Sequence, residues 1–355
     1  MEILISCLYI NSPPMNPALT HIHDTLIQIK TDIQKEIIGQ DTLIEKLIIT
    51  FFAGGHALLE WVPGLGKTRT IRVFAGVLGL DTGRISFTPD LLPSDLTGNE
   101  IYRAKEGKFE IRKWPIFTGI LLADEINRTP PKVQSALLEA MEEKRVTIGN
   151  TTLDLPTPFV VFATQNPLEH EGTYPLPEAQ LDRFLMRIVL SYPHAMDEKR
   201  IFLVECSNTG DMSKSEAPEK RKTEDLIEMM DYITKSVRVD EKIYDYVSDI
   251  VSATRQLALP ISSTPGKDIN NGLTFGDVYT PTLSHWASTR AGLALIRAGR
   301  VRAVIAGRDY MLPEDVASLA HDVLDHRVGL SYESMSEWVT AYSVIEQILD
   351  SVRIP

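Results

Sequence analysis

Cysteine is almost absent from this 355-residue chain: Cys7 and Cys206 are the whole complement. Two residues so far apart cannot build a disulfide scaffold, and they read as free thiols in a reducing compartment. Long apolar runs are missing too. No uninterrupted stretch of about 18 apolar residues occurs, so no membrane span is expected. The opening Met1–Ile10 is apolar but has neither a basic n-region nor a small-residue cleavage site, which makes it a poor signal peptide. Basic charge is in deficit, with 36 Lys and Arg against 48 Asp and Glu and a formal charge of −12. That balance argues against broad DNA binding, which rests on phosphate neutralisation. The eight histidines show no metal-ligand spacing, since His21 and His23 diverge on a helix, as do His321 and His326. Tryptophan is scarce, at four residues. The chain reads as a cytoplasmic protein.

What is present is ordinary for a globular protein: 43% hydrophobic and 24% charged residues. The length predicts two domains. Residues 1–18 read as a loose leader. From Leu19 to Phe52 apolar positions recur at helical spacing, with Gly39-Gln40 punctuating two helices. Ala57–Glu60 predicts a short buried strand and Thr68–Leu78 a helix, followed by a polar stretch. Ile101–Arg112 predicts a basic hairpin turning around Glu106-Gly107-Lys108. Ile120–Ala123, Phe159–Ala163 and Met186–Leu190 read as further buried strands. Between them lies a helix expected to start with Thr129 as N-cap and Pro130 as its first residue. A second hairpin is expected around Gly149-Asn150, and a short helix over Pro177–Phe184. Buried strands separated by helices predict a parallel α/β sheet. Beyond about residues 191–195 the patterns are mainly helical.

Two motifs carry chemistry. Trp61-Val62-Pro63-Gly64-Leu65-Gly66-Lys67-Thr68 lies between a predicted strand and a predicted helix, the setting of a phosphate-binding loop. Gly64 and Gly66 let backbone N–H groups approach phosphate oxygens at a helix N-terminus. Lys67 is expected to reach the β/γ phosphates, and Thr68 to offer a hydroxyl to Mg²⁺. The second motif, Gly119–Glu125, is an apolar strand that delivers two acids. Asp124 is expected to hold Mg²⁺ and Glu125 to polarise the attacking water.

With these motifs the chain resembles the MoxR-type AAA+ ATPases from about residue 19 to 355. The resemblance rests also on Ile38-Gly39-Gln40, on Phe87–Asp95, on Asp124-Glu125-Ile126-Asn127-Arg128 and on Ala163-Thr164-Gln165-Asn166-Pro167. Leu176–Phe184 and Ala287-Ser288-Thr289-Arg290-Ala291 complete it. It implies an α/β phosphate-loop nucleotide domain over 19–193, with a hairpin insertion at about 99–113, and a smaller all-α lid over 194–355. It implies that Ile38 and Gly39 line the adenine and that Arg69 follows the phosphate loop in the nucleotide site. It assigns Asn166 to orienting the attacking water, Arg183 to an arginine finger acting across a subunit interface, and Arg290 to the lid's sensor arginine. The implied activity is ATP hydrolysis with Mg²⁺ in a ring, expected to be a hexamer, that remodels or helps assemble client proteins. Proteins with von Willebrand factor A domains are the partners implied. Alternatives are a nucleotide-binding scaffold and, less favoured, a nucleic-acid motor.

Trp61 stands where the phosphate-loop pattern has its first glycine. Trp114, Trp286 and Trp338 also fall where sequences of this family carry glycine. One replacement repeated four times, with Lys67, Asp124 and Glu125 intact, is the pattern expected if UGA encodes glycine in the source gene.

Overall fold

The computed structural model describes residues 15–61, 66–103, 108–113, 115–166, 172–190, 195–207, 221–258 and 282–355. Helix α1 (Pro17–Glu36) begins after Asn16, whose side chain accepts the Ala18 N–H, with Pro17 in the first turn. Pro17 and Ala18 are therefore helix and not leader. Leu19, Ile22, Leu26, Ile29 and Ile33 recur at helical spacing and form its buried face. Helix α2 (Asp41–Phe52), strand β1 (Ala57–Trp61), helix α3 (Lys67–Leu78) and strand β2 (Thr82–Ser86) follow. A short helix α4 (Pro93–Thr97) leads into the hairpin of β3 (Gly98–Arg103) and β4 (Lys108–Lys113), paired antiparallel from Gly98–Lys113 to Arg103–Lys108.

Strand β5 (Ile120–Asp124), helix α5 (Pro131–Glu143), the hairpin of β6 (Arg145–Ile148) and β7 (Thr151–Asp154), strand β8 (Val160–Gln165), helix α6 (Glu178–Leu181) and strand β9 (Met186–Leu190) complete the α/β part. Its five strands run parallel in the order β2-β5-β8-β1-β9. Alternation along the central strands sorts side chains between two cores. Leu59, Ile120, Leu122, Val160 and Phe162 face α1, α2 and α3. Leu58, Leu121, Ala123, Val161 and Ala163 face α5.

Three expectations are corrected here. Strand β2 lies inside the stretch read as polar; Thr-Gly-Arg-Ile-Ser is an edge strand with one buried residue, Ile85, too polar to show a strand pattern. Helix α5 begins one residue later than expected, with Pro130 at the N-cap and Pro131 at the first position. Thr129 is fully buried and its hydroxyl lacks a hydrogen-bond partner. The helix expected over 177–184 is the single turn of α6.

Past β9 the chain is helical: α7 (Ala195–Ser207), α8 (Thr223–Ser236), α9 (Glu241–Gln256), α10 (Thr289–Ile305), α11 (Pro313–Leu324), α12 (Tyr332–Ser336) and α13 (Ala341–Ser351). A two-stranded ribbon of β10 (Leu283–His285) and β11 (Gly329–Leu330) joins them. One apolar cluster runs from the α1 side of the sheet through α9, α10, α11 and α13. Polar ties reinforce it. Lys46 of α2 pairs with Asp322 of α11 at 2.7 Å, and Glu45 takes both Lys30 of α1 and Arg302 of α10. No helix among the described residues is long and apolar enough to cross a membrane.

Helix α12 ends in an unusual way. The Trp338 N–H donates to the Met335 carbonyl and the Val339 N–H to the Ser334 carbonyl, the bond pair of a Schellman motif, whose turning residue is left-handed. The same pair ends three other helices, and there the turning residues are Gly54, Gly79 and Gly307. Trp338 adopts φ 63° and is 92% exposed. A bulky side chain in this region of backbone space is a genuine outlier. Trp286 is also half exposed, and Trp114 lies outside the described residues.

Candidate active site

Helix α3 begins at Gly66, whose φ of 73° turns the chain so that Lys67 opens the helix. Val62, Pro63, Gly64 and Leu65 lie outside the described residues, as does the side chain of Trp61. The backbone of Trp61 still extends β1, opposite Leu190 of β9. Strand β8, beside β1, ends at Gln165, and β5, on the far side of β8, ends at Asp124. Parallel strands ending on one side of a sheet create the crevice where ligands bind in such folds.

Asp124 is the hub of this crevice. Its Oδ1 lies 3.2 Å from Lys67 Nζ and accepts the Thr164 hydroxyl at 2.8 Å, while its Oδ2 accepts Arg84 Nη2 at 2.7 Å. Burial alone would raise the Asp124 carboxyl. Hydrogen bonds from Arg84 and Thr164, with the charge of Lys67, hold it below the ordinary aspartate range. It is therefore a carboxylate at neutral pH. Glu125, next in the chain, sits in the left-handed region at φ 59° and donates its N–H to the same Thr164 hydroxyl at 3.0 Å. Left-handed backbone at a non-glycine residue costs of order 1 kcal/mol or more and concentrates at functional sites. The Glu125 carboxylate lies 3.3 Å from Arg128 Nε. Asn166, just past β8, is buried.

These donors fit a magnesium nucleotide. Mg²⁺ takes oxygen ligands and is usually bound by one or two carboxylates with the substrate phosphates, and Asp124 with the partly buried Thr68 supplies that set. A helix N-terminus carrying Lys67 suits a polyphosphate. Ile38 and Gly39 are partly buried between α1 and α2, and Arg69 is exposed on the first turn of α3.

Arg183 and Arg290 form a second cluster. Glu142 of α5 accepts Arg183 Nε on Oε2 at 2.7 Å and Arg290 Nη2 on Oε1 at 2.5 Å. Next to it, Asp182 accepts the Ser288 hydroxyl at 2.9 Å and Arg327 Nε at 2.8 Å. Arg327 is itself buried and donates to the Leu185, Phe184, Val323 and Asp182 carbonyls. The structure thus gathers Lys67, Asp124, Glu125 and Thr164 around one hub, and Arg183 with Arg290 around another.

Sequence reasoning missed Arg84, Thr164, Glu142 and Arg327. Thr164 sits inside a quoted motif and carried that signal. Arg84 lies on an edge strand with no pattern, and Glu142 and Arg327 act through contacts distant in sequence.

Residues 56–186 match the family described as "ATPase family associated with various cellular activities (AAA)", and residues 280–348 match the AAA lid domain. The chain is 40% identical over 334 residues to Chaperone MoxR1 of Mycobacterium tuberculosis, covering 93% of this chain and 82% of that protein. It is 29% identical over 351 residues to Protein MoxR of Methylorubrum extorquens, covering 96% and 98%. A crystal structure of a proposed ATPase from Cytophaga hutchinsonii superimposes with a TM-score of 0.81 at 40% identity, over 95% of this chain and 97% of that one. With the phosphate-loop helix, the Asp124-Glu125 strand end and the lid in place, the chain belongs to the MoxR-type AAA+ ATPases.

Proposed function

We propose that this protein hydrolyses ATP with Mg²⁺ and uses the cycle, within a ring of its own copies, to remodel or help assemble a client protein. The carrying observation is the convergence of Lys67 and Asp124 at the mouth of α3, beside Glu125. Thr68 and Asp124 would hold Mg²⁺, which would supply neutralisation of charge on the β and γ phosphates. Lys67 binds those phosphates, and its pairing with Asp124 at 3.2 Å holds its ammonium beside the metal-binding carboxylate. Glu125 accepts a proton from the attacking water, and the Asn166 amide orients that water. Water oxygen bonds to the γ phosphorus as the bond to the ADP oxygen breaks, leaving ADP and phosphate.

Arg183 belongs to the other hub, bonded to Glu142 and to the Ala179 carbonyl. This supports its serving a neighbouring copy's nucleotide, where such an arginine contributes roughly 10³–10⁵ in rate. Arg290 shares Glu142 with Arg183, which supports the same destination for it. The chaperone role follows the MoxR1 relative's name.

The test is Mg²⁺-dependent phosphate release by purified protein, run with Trp61 and with Trp61→Gly, beside a measurement of mass in solution. Turnover no greater than that of Lys67→Ala in both forms would remove the enzymatic reading.

A further inference from the structure

Glu142 has no part in the motifs, yet both arginines converge on it. All three side chains are partly exposed, 39% for Glu142, 29% for Arg183 and 50% for Arg290. Ion pairs this exposed contribute little to stability. Orientation is what the arrangement supplies. Two guanidinium groups repel unless an anion stands between them, and each takes one oxygen of the same carboxylate. The Arg183 hydrogen bond above all, with the charges of both arginines, holds the Glu142 carboxyl below its ordinary range.

The two grips differ in kind. Arg183 is held through Nε, and its Nη1 donates to the Ala179 carbonyl at 3.2 Å; together they fix the guanidinium plane and leave Nη2 to address a ligand. Arg290 is held through Nη2, an atom of that outer edge, and its Nη1 lies 3.8 Å from Asp182 Oδ2. Its backbone is fixed as well. The Arg290 N–H donates to Ser288 Oγ at 3.0 Å, and the Ser288 hydroxyl donates to Asp182, the residue before Arg183.

We propose that Glu142 is a positioning residue for both arginines, aiming Arg183 through Nε at a neighbouring copy's γ-phosphate and withholding Arg290 until that phosphate draws it away. The proposal rests on the ring reading above, and the experiment separates the two. Arg183→Ala subunits, with an intact phosphate loop, are mixed with Lys67→Ala subunits, which keep the finger. Restored turnover supports donation between subunits; no restoration overturns the ring reading and this proposal together. The donor then also receives Glu142→Gln, which keeps the size of the side chain but loses its charge and one acceptor. The expected result is a kcat about tenfold to 10²-fold lower, the upper figure being the cost of about 1 Å of misplacement of a catalytic group, with KM for ATP within about twofold. A Glu142→Asp donor, which keeps the charge and both oxygens, restores most of the rate. Equal kcat with Glu142 and Glu142→Gln donors, a loss confined to KM, or no recovery with Glu142→Asp would each overturn the role of Glu142 and leave the ring reading standing. Thermal midpoints of the donors guard against misfolding, and the Asp variant carries the test if the Gln variant fails to fold.

Discussion

Arg187 of β9 donates from Nη2 to the carboxylate of Glu60 at 2.5 Å, tying a strand to the residue just before Trp61 and the phosphate loop. The same guanidinium donates from Nη1 to Asp325, at the end of α11, also at 2.5 Å. Gln165, beside Asn166, donates to the other oxygen of Glu60. The root of the phosphate loop, the end of β8 and the end of α11 are therefore linked through the Glu60–Arg187 pair.

Replacing Arg187 by Met leaves Glu60, only 6% exposed, without its cation. Breaking a buried pair from one side costs on the order of 3 kcal/mol. Thermal or urea unfolding of Arg187→Met should show that loss, and adding Glu60→Gln should recover part of it. A single variant as stable as the parent would refute the coupling.

Lys67→Ala and Glu125→Gln should separate binding from chemistry. The first removes the cation that meets the phosphates, so nucleotide binding is lost, as read by fluorescent-nucleotide titration. The second keeps Asp124 and Lys67, so binding survives while turnover falls about 10²-fold or more, the usual worth of a general base. Glu125→Gln with full turnover would move the base elsewhere.

Trp338→Gly should stabilise the protein. The left-handed conformation costs an ordinary L-residue about 1–2 kcal/mol, and glycine returns part of that gain as chain entropy. A net gain of about 0.5–1 kcal/mol is expected, visible as a higher thermal midpoint. No change, or a loss, would mean that the exposed indole compensates in some other contact.

The codons bear on the same residue. If UGA is read as glycine, the gene has UGA at positions 61, 114, 286 and 338, and protein from the source organism shows no tryptophan fluorescence. UGG at these positions sinks that account, and Trp61 then stands at the phosphate loop as a true substitution.

Acid should weaken the fold through His56. Its Nδ1 accepts the Val161 N–H at 3.0 Å in full burial, and burial pushes its pKa down to about 4 from 6.5. Between those values the unfolded chain binds the proton that the folded chain refuses, so stability falls as pH drops through 6.5 and levels off near 4. At about 1.4 kcal/mol per pKa unit, the loss comes to roughly 3–4 kcal/mol. The depressed Asp124 carboxyl adds loss of the same sign at still lower pH. A melting temperature flat between pH 7 and 4.5 would contradict the buried, neutral imidazole.

The residues gathered around Asp124 were legible because they are written locally: Gly66-Lys67-Thr68 and Asp124-Glu125 are short runs at the start of a helix and the end of a strand. The buried strands were legible as apolar runs. Strand β2 was not, because an edge strand that buries only Ile85 has no such run, and Arg84 was hidden with it. Glu142, Arg187 and Arg327 were silent for a different reason. Each is an ordinary charge on a helix or strand until folding brings in a partner from far along the chain.

The apolar cluster that joins Leu26 and Phe74 to Leu324 and Ile348 means that a division of the chain near residue 193 would be one of chain order and not of packing. A gene cut there would yield two polypeptides, each with a raw apolar flank, and neither should stay in solution alone. Exchange between relatives meets the same constraint: a lid transplanted from a cousin has to match the sheet face and the α1 stripe on which it lands. Lid and sheet are thereby bound to change together over evolutionary time.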